Sequence, residues 1–380
     1  ILFRASLLFS VPALSDDVYR FIWDGRLLAA GLHPFAEVPE YYMTHHLSIP
    51  GIVPELYEKL NSKTTHTVYP PLAQFVFWLS VKLSPGSIYG SILVMKIIIF
   101  SFEVGTLVII KKLLSHFKLP PARILLYALN PLAILELTGN LHFEGVMMFF
   151  LLLAIWFLIH HKHFLSAIFY ACSICLKLIP LIFLPVLAVK LGGKKGSQYW
   201  LITTGMTGLI FLPLLTHDFV TGFSESFGYY FQRFEFNASI YYIIRAAGYF
   251  LFGFNIIHIA GWVLAAISTI SILTYSYYGF RDKVIADVDT RLFIGMLWCI
   301  LIYFALTTTL HPWYIISLVI ISLFTNYRFP LVWSCLIFMT YTGYNTETFD
   351  ENLQIVALEY IVVTGYLLYE TVWTKRLNHS

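Results

Sequence analysis

The stretch Ser15-Asp16-Asp17-Val18-Tyr19-Arg20-Phe21-Ile22-Trp23-Asp24-Gly25 gathers three carboxylates and a guanidinium directly after an apolar segment. A carboxylate so placed can take the proton of an attacking hydroxyl, and a cation beside it can steady a departing anion. Ionisable groups at a membrane boundary are functional-site candidates by default. Asp16 and Asp17 are both candidates for the base, and the residues alone do not separate them. Helix capping or pairing with Arg20 is the plain account of Asp17. Downstream, Lys177, Arg233 and His311 join Arg20 as candidates for holding a phosphate. The plain accounts are a snorkelling lysine and a structural histidine at a helix boundary. His142 and Glu144, two apart in a short turn, can both face the same cavity. One His and a few acids in unlinked loops are a weak metal signature, so a divalent metal stays open and no cofactor is assigned.

These residues need a frame, and composition supplies its class. The chain of 380 residues is 58% hydrophobic and 12% charged, with mean hydropathy +0.75. Apolar runs of transmembrane length recur throughout, which reads as a polytopic, all-α membrane protein. Helices are expected near 88–110, 122–139, 143–160, 164–177, 179–191, 198–216, 255–279, 291–309, 312–325, 329–344 and 352–373. Residues 1–14 read as the tail of a first crossing, giving about twelve in one transmembrane domain over 1–380. Alternate loops hold Lys111, Lys112, Lys118 and Arg123; Lys162; Lys190, Lys194 and Lys195; Arg281, Lys283 and Arg291; Arg328; Lys375 and Arg376. These are more than half of the 24 basic residues, and their side is expected to be cytoplasmic. The opposite side receives the first loop (15–87), His142, Glu144, Lys177, the segment 217–254 and His311. Residues 72–83 and 238–253 are apolar but too short to cross, which suits interfacial or re-entrant helices. Cys172-x-x-Cys175 has no second pair and reads as packing. Asn237-Ala238-Ser239 matches a glycosylation acceptor but abuts the membrane.

Several motifs then carry a resemblance. They are the 15–25 stretch, Gly31-x-x-Pro34-Phe35, Tyr69-Pro70-Pro71-Leu72-Ala73, Asn130-Pro131-Leu132, Gly139-Asn140-x-His142-x-Glu144, Lys177-x-x-Pro180 and His311-Pro312-Trp313-Tyr314. In this order they resemble the GT-C superfamily of polyprenyl-phosphate-sugar-dependent glycosyltransferases, nearest to bacterial mannosyltransferase-like members and distantly to the catalytic subunit of GPI mannosyltransferase I. Phe143-Glu144 stands where the family more often has Asn-Asp, and Phe35 where it has Tyr. The resemblance implies an inverting hexosyltransferase, with mannose the expected sugar and Asp16 the loop carboxylate acting as base. Arg20, Asp24, Tyr69, His142, Glu144, Lys177, Arg233 and His311 are the implied substrate contacts. It also implies a polyprenyl-phosphate-linked donor, a glycan or glycolipid acceptor, and a bacterial inner membrane with the site facing the periplasm. A glycan ligase or aminosugar transferase of the same superfamily shares the first-loop carboxylate. A transporter or lipid flippase is the alternative from another class, kept open by Glu103, Glu136 and Glu359 inside helices. The absence of visible repeats speaks against it.

Overall fold

A computed structural model describes residues 1–280, 289–344 and 350–377. Arg281 and Lys283 lie outside the described residues, as do the side chains of Lys375 and Arg376. The chain is all-helical among the described residues, with one isolated parallel bridge between Phe236 and Thr309. It divides into two compact units. One comprises Ile1–Ile110, Ile134–Leu181 and Gln198–Tyr229, and the other Lys111–Ala133, Ile182–Ser197 and Tyr230–Ser380.

The first unit opens with α1 (Leu2–Ser6), α2 (Asp17–Ala29), α3 (Pro39–Thr44), α4 (Pro54–Glu58), α5 (Pro71–Leu83) and the long α6 (Ile88–His116). Proline begins α3, α4 and α5, at the position where its missing N–H costs nothing and its fixed φ suits a helix. The expected interfacial segment 72–83 is thus a helix of 13 residues. After α6 come a π-helical turn (Ile134–Gly139), α7 (Glu144–Ile159) and α8 (His163–Ile174).

Helices α2 and α5 cross closely. Phe21 stacks on Phe77 with centroids 4.6 Å apart, and a Cβ on Gly25 would lie 2.5 Å from the Phe77 carbonyl oxygen. Gly25 is therefore needed for approach, and backbone cannot yield as a flexible side chain can. Gly25→Ala is expected to lower stability by about 1–3 kcal/mol, the usual cost of overpacking. Thermal unfolding in detergent measures it, with Gly205→Ala, whose Cβ would meet nothing within 4 Å, as the neutral control. Equal melting temperatures for the two variants would refute the tight crossing.

Two ionisable groups on α6 are buried and paired. Lys96 donates to the Leu7 carbonyl and the Ser10 hydroxyl, both at 2.8 Å. Glu103 accepts from Arg4 Nε at 2.9 Å and from Thr138 at 2.6 Å. In a low-dielectric interior such groups persist only when partnered.

In the second unit the buried Asn237 joins the 230–239 segment to the helix Leu353–Leu377. Its N–H donates to Glu351 at 2.6 Å, its side-chain nitrogen to Glu359 at 3.2 Å, and its carbonyl accepts from Tyr360 at 2.6 Å. Trp333 also donates to Glu359, at 2.7 Å. The amide nitrogen of the glycosylation-like triplet is thus buried and engaged, not offered to solvent. Asn130 of the Asn-Pro-Leu motif accepts from the Ala133 N–H and donates to Ser334 at 2.8 Å, a helix-capping role.

The expected helical segments are present at nearly the expected positions, but about twelve crossings is not what they amount to. Among the described residues, three helices are long and apolar enough to cross a membrane: Ile88–His116, Ile257–Phe280 and Leu353–Val372. Counting each of two sharply bent pairs as one span raises this to five. The remaining apolar helices have 10–17 residues, short of the roughly 20 that span about 30 Å of hydrocarbon. Prolines and tight turns cut them: 122–139 breaks at Asn130-Pro131, and 198–216 gives way after Leu214 to the helix His217–Gln232. Length and composition are those of a helical membrane protein.

Candidate functional site

The carboxylate cluster sits at the start of α2. The Ser15 hydroxyl accepts the Asp17 N–H at 3.3 Å, so serine does the capping and Asp16, at the cap position, makes no side-chain capping bond. Asp17 does not pair with Arg20. Its two oxygens accept from Asn61 at 2.9 Å and from the Tyr69 hydroxyl at 3.4 Å. Arg20 is buried and donates to Asp24 at 2.8 Å and to the carbonyls of Ser62 (3.0 Å) and Thr65 (2.8 Å). Asp24 accepts in turn from Gln74 at 2.9 Å. Arg20 and Asp24 therefore fasten the 62–67 loop and α5 to α2, and their charges face each other. Asp16 is exposed. Desolvation by its surroundings and, secondly, the Asp17 charge hold its carboxyl above the usual aspartate range.

Tyr69 stands edge-on to Phe21 and Phe77, with centroids 4.9 and 5.4 Å away. Phe143 meets the same two rings at 5.7 and 5.6 Å. The residue that departs from the family pattern thus fills an aromatic junction joining α2, α5 and the turn before α7. On either side of it, His142 lies 3.3 Å from the buried Glu136, and the fully buried Glu144 accepts from Lys177. Glu144 is also the first residue of α7, where the helix dipole favours negative charge. The Leu72 N–H donates to the Cys175 carbonyl at 3.0 Å, tying the Pro-Pro turn beside Tyr69 to the segment carrying Lys177.

Asp16, Asp17, Arg20, Asp24, Tyr69, His142, Glu144 and Lys177 all belong to the first unit. Arg233 and His311 belong to the second. There Arg233 is exposed, and His311 stacks on Trp313 at 4.6 Å and on Phe236 at 4.9 Å. Among the described residues, no group of three or more His, Cys, Asp or Glu is placed to hold a metal ion.

The family model for alpha-(1->6)-mannopyranosyltransferase, N-terminal domain, matches residues 1–193, which is half of the chain and includes α2, the 134–144 turn and Lys177. The chain belongs to this family. A comparison with the curated proteins finds no match. The resemblance drawn from the motifs to a GT-C-like mannosyltransferase is borne out, and a mannosyltransferase requires a sugar donor and an acceptor.

For a mannosyltransferase the division of labour is informative. Asp16 is exposed, whereas Asp17, Arg20 and Asp24 are engaged by fixed partners. The three intrahelical carboxylates that kept a transporter open are each occupied: Glu103 by Arg4, Glu136 by His142 and Glu359 by Trp333. Reading the sequence missed Asn61, Gln74 and the capping role of Ser15. Ser15 was the findable one, because serine just before an acidic first turn is a recognised helix-start signal.

Proposed function

We propose that the protein transfers a mannosyl residue, with inversion, from a polyprenyl phosphate donor to a glycan or glycolipid acceptor outside the cytoplasm. The observation carrying this reading is the exposed Asp16, free of capping bonds and with a raised carboxyl, at the start of α2 in the first unit, which also contains Lys177. In the proposed step Asp16 takes the acceptor hydroxyl proton as the new bond to the sugar's anomeric carbon forms. The bond from that carbon to the phosphate oxygen breaks, and the electron pair leaves with polyprenyl phosphate. Lys177 meets the charge that grows on that phosphate. Asp17, fastened by Asn61 and Tyr69, keeps Asp16 basic, and Arg20 and Asp24 hold α2 in register. His142 and Glu144 shape the turn that presents Lys177. Arg233 and His311 remain substrate-binding proposals on motif and charge alone. The family description names an alpha product, and inversion to it calls for a β-linked donor.

The test is transfer of label from radiolabelled polyprenyl phosphate mannose to endogenous acceptor in membranes containing the protein, with glucosyl and aminosugar donors as competitors. Transfer from the mannosyl lipid is expected. Label moving from an aminosugar lipid alone would assign the protein to the other branch of the superfamily.

The same reading places 15–87 and 217–254 at the periplasmic face and Lys194 and Arg376 in the cytoplasm. In a background lacking the four native cysteines, an impermeant thiol reagent on intact cells is expected to label Lys59→Cys and spare Lys194→Cys. The reverse pattern would sink this orientation.

A further inference from the structure

We propose that Asn140 is a positioning residue for the Asp16/Asp17 pair, acting through the backbone that leads into α2. One side-chain oxygen, Asn140 Oδ1, accepts the consecutive N–H groups of Ala13 (3.2 Å) and Leu14 (3.1 Å). On the other side of the pair, Ser15 Oγ accepts the Asp17 N–H, and the Asp16 carbonyl accepts the Tyr19 N–H at 3.1 Å. Only Ser15 and Asp16 therefore lie between an anchored Leu14 and the helix. The direction in which Asp16 leaves the backbone is set from both ends.

Asn140 is itself held. It follows the π-helical turn Ile134–Gly139, and its N–H donates to the Leu135 carbonyl at 2.8 Å. The next residue, Leu141, is fully buried and adopts φ +68°, a left-handed conformation that is strained for a branched side chain. The His142 N–H closes back on the Glu136 carbonyl at 3.1 Å. Such strain persists where the surroundings over-determine it, and it lies directly beside the Asn140 side chain that bonds residues 13 and 14. A neutral amide suits the task, because Asn140 is buried and an acceptor there need not bring a charge.

The inference rests on the reading that Asp16 or Asp17 supplies the base. The experiment uses the full chain with radiolabelled mannosyl phosphoryl polyprenol and reads kcat, donor KM and hydrogen exchange at Ala13 and Leu14. Asn140→Ala is expected to lower kcat by about 10²-fold, the scale of a misplacement of about 1 Å. Donor KM should stay nearly unchanged, and protection should be lost at those two amides. Asn140→Ser keeps a short, neutral accepting oxygen and is expected to retain more of the protection and of the rate than Asn140→Ala. A wild-type kcat in Asn140→Ala, or a loss carried wholly by KM, overturns the proposal. If Asn140→Ala does not fold, Leu14→Pro removes one of the two donors and leaves Asn140 in place. A wild-type kcat in that variant overturns the proposal as well. Full activity in both Asp16→Asn and Asp17→Asn would instead overturn the base assignment, independently of Asn140.

Discussion

Asp16→Asn is expected to abolish mannosyl transfer, by about 10² to 10⁴ in rate, while the fold and donor binding survive. Asparagine keeps the shape of the side chain but cannot accept the acceptor's proton, so the loss falls on the chemical step. Nothing structural should fail, because Asp16 is exposed and makes no capping bond. The pH profile adds a second readout. A base works ionised, so the rate falls as pH drops through the Asp16 pKa, and that limb should lie above the 3.8 of an ordinary aspartate. Acid unfolding through Asp16 cannot imitate the limb. A carboxyl raised in the folded state favours folding when protonated, with its contribution full below the unfolded pKa and lost as pH rises through the folded one. Asp17→Asn should shift the limb to lower pH, since the Asp17 charge is the second cause of the raised value. An inactive Asp17→Asn beside an active Asp16→Asn would exchange the two roles. Two fully active single variants would remove the mechanism.

Lys177→Met is expected to cost about 10²-fold in turnover if the ammonium meets the departing phosphate. The structure adds a complication that separates binding from folding. Lys177 is the partner of a fully buried Glu144, and breaking a buried pair by removing one member typically costs about 3–5 kcal/mol. The single variant should therefore be both unstable and inactive. The double variant Lys177→Met, Glu144→Gln removes the stranded charge and is expected to regain much of the melting temperature without regaining transfer. Recovered transfer in the double variant would show that Lys177 serves only to neutralise Glu144.

What could be read without coordinates was local. The start of α2, its acidic first turn and the four-residue spacing of Arg20 and Asp24 are properties of one stretch of chain, and all appear as helix features. The consequence of that spacing was missed: Arg20 donates to Asp24 and to the carbonyls of Ser62 and Thr65. Longer-range facts had no local sign. Glu144 and Lys177 pair across the whole of α7 and α8, and Gly25 needs the Phe77 carbonyl before its missing side chain has meaning. The crossings were overcounted for a related reason. Hydropathy sums side chains and is blind to where the backbone turns, so apolar helices of 10–17 residues were counted as spans.

The paired charges on α6 also bear on how the protein is made. Lys96 and Glu103 ride on a long apolar helix, yet each would cost about 2.5–3.5 kcal/mol at the centre of a helix inserted alone. Their partners, the Leu7 carbonyl, Ser10 and Arg4, are all synthesised before α6. A nascent α6 can thus meet a neutral carbonyl and hydroxyl for Lys96 and the Arg4 charge for Glu103 as soon as it forms. In chain order, the partners at residues 4–10 precede the charges they hold, and Thr138, which completes the Glu103 site at 2.6 Å, follows them.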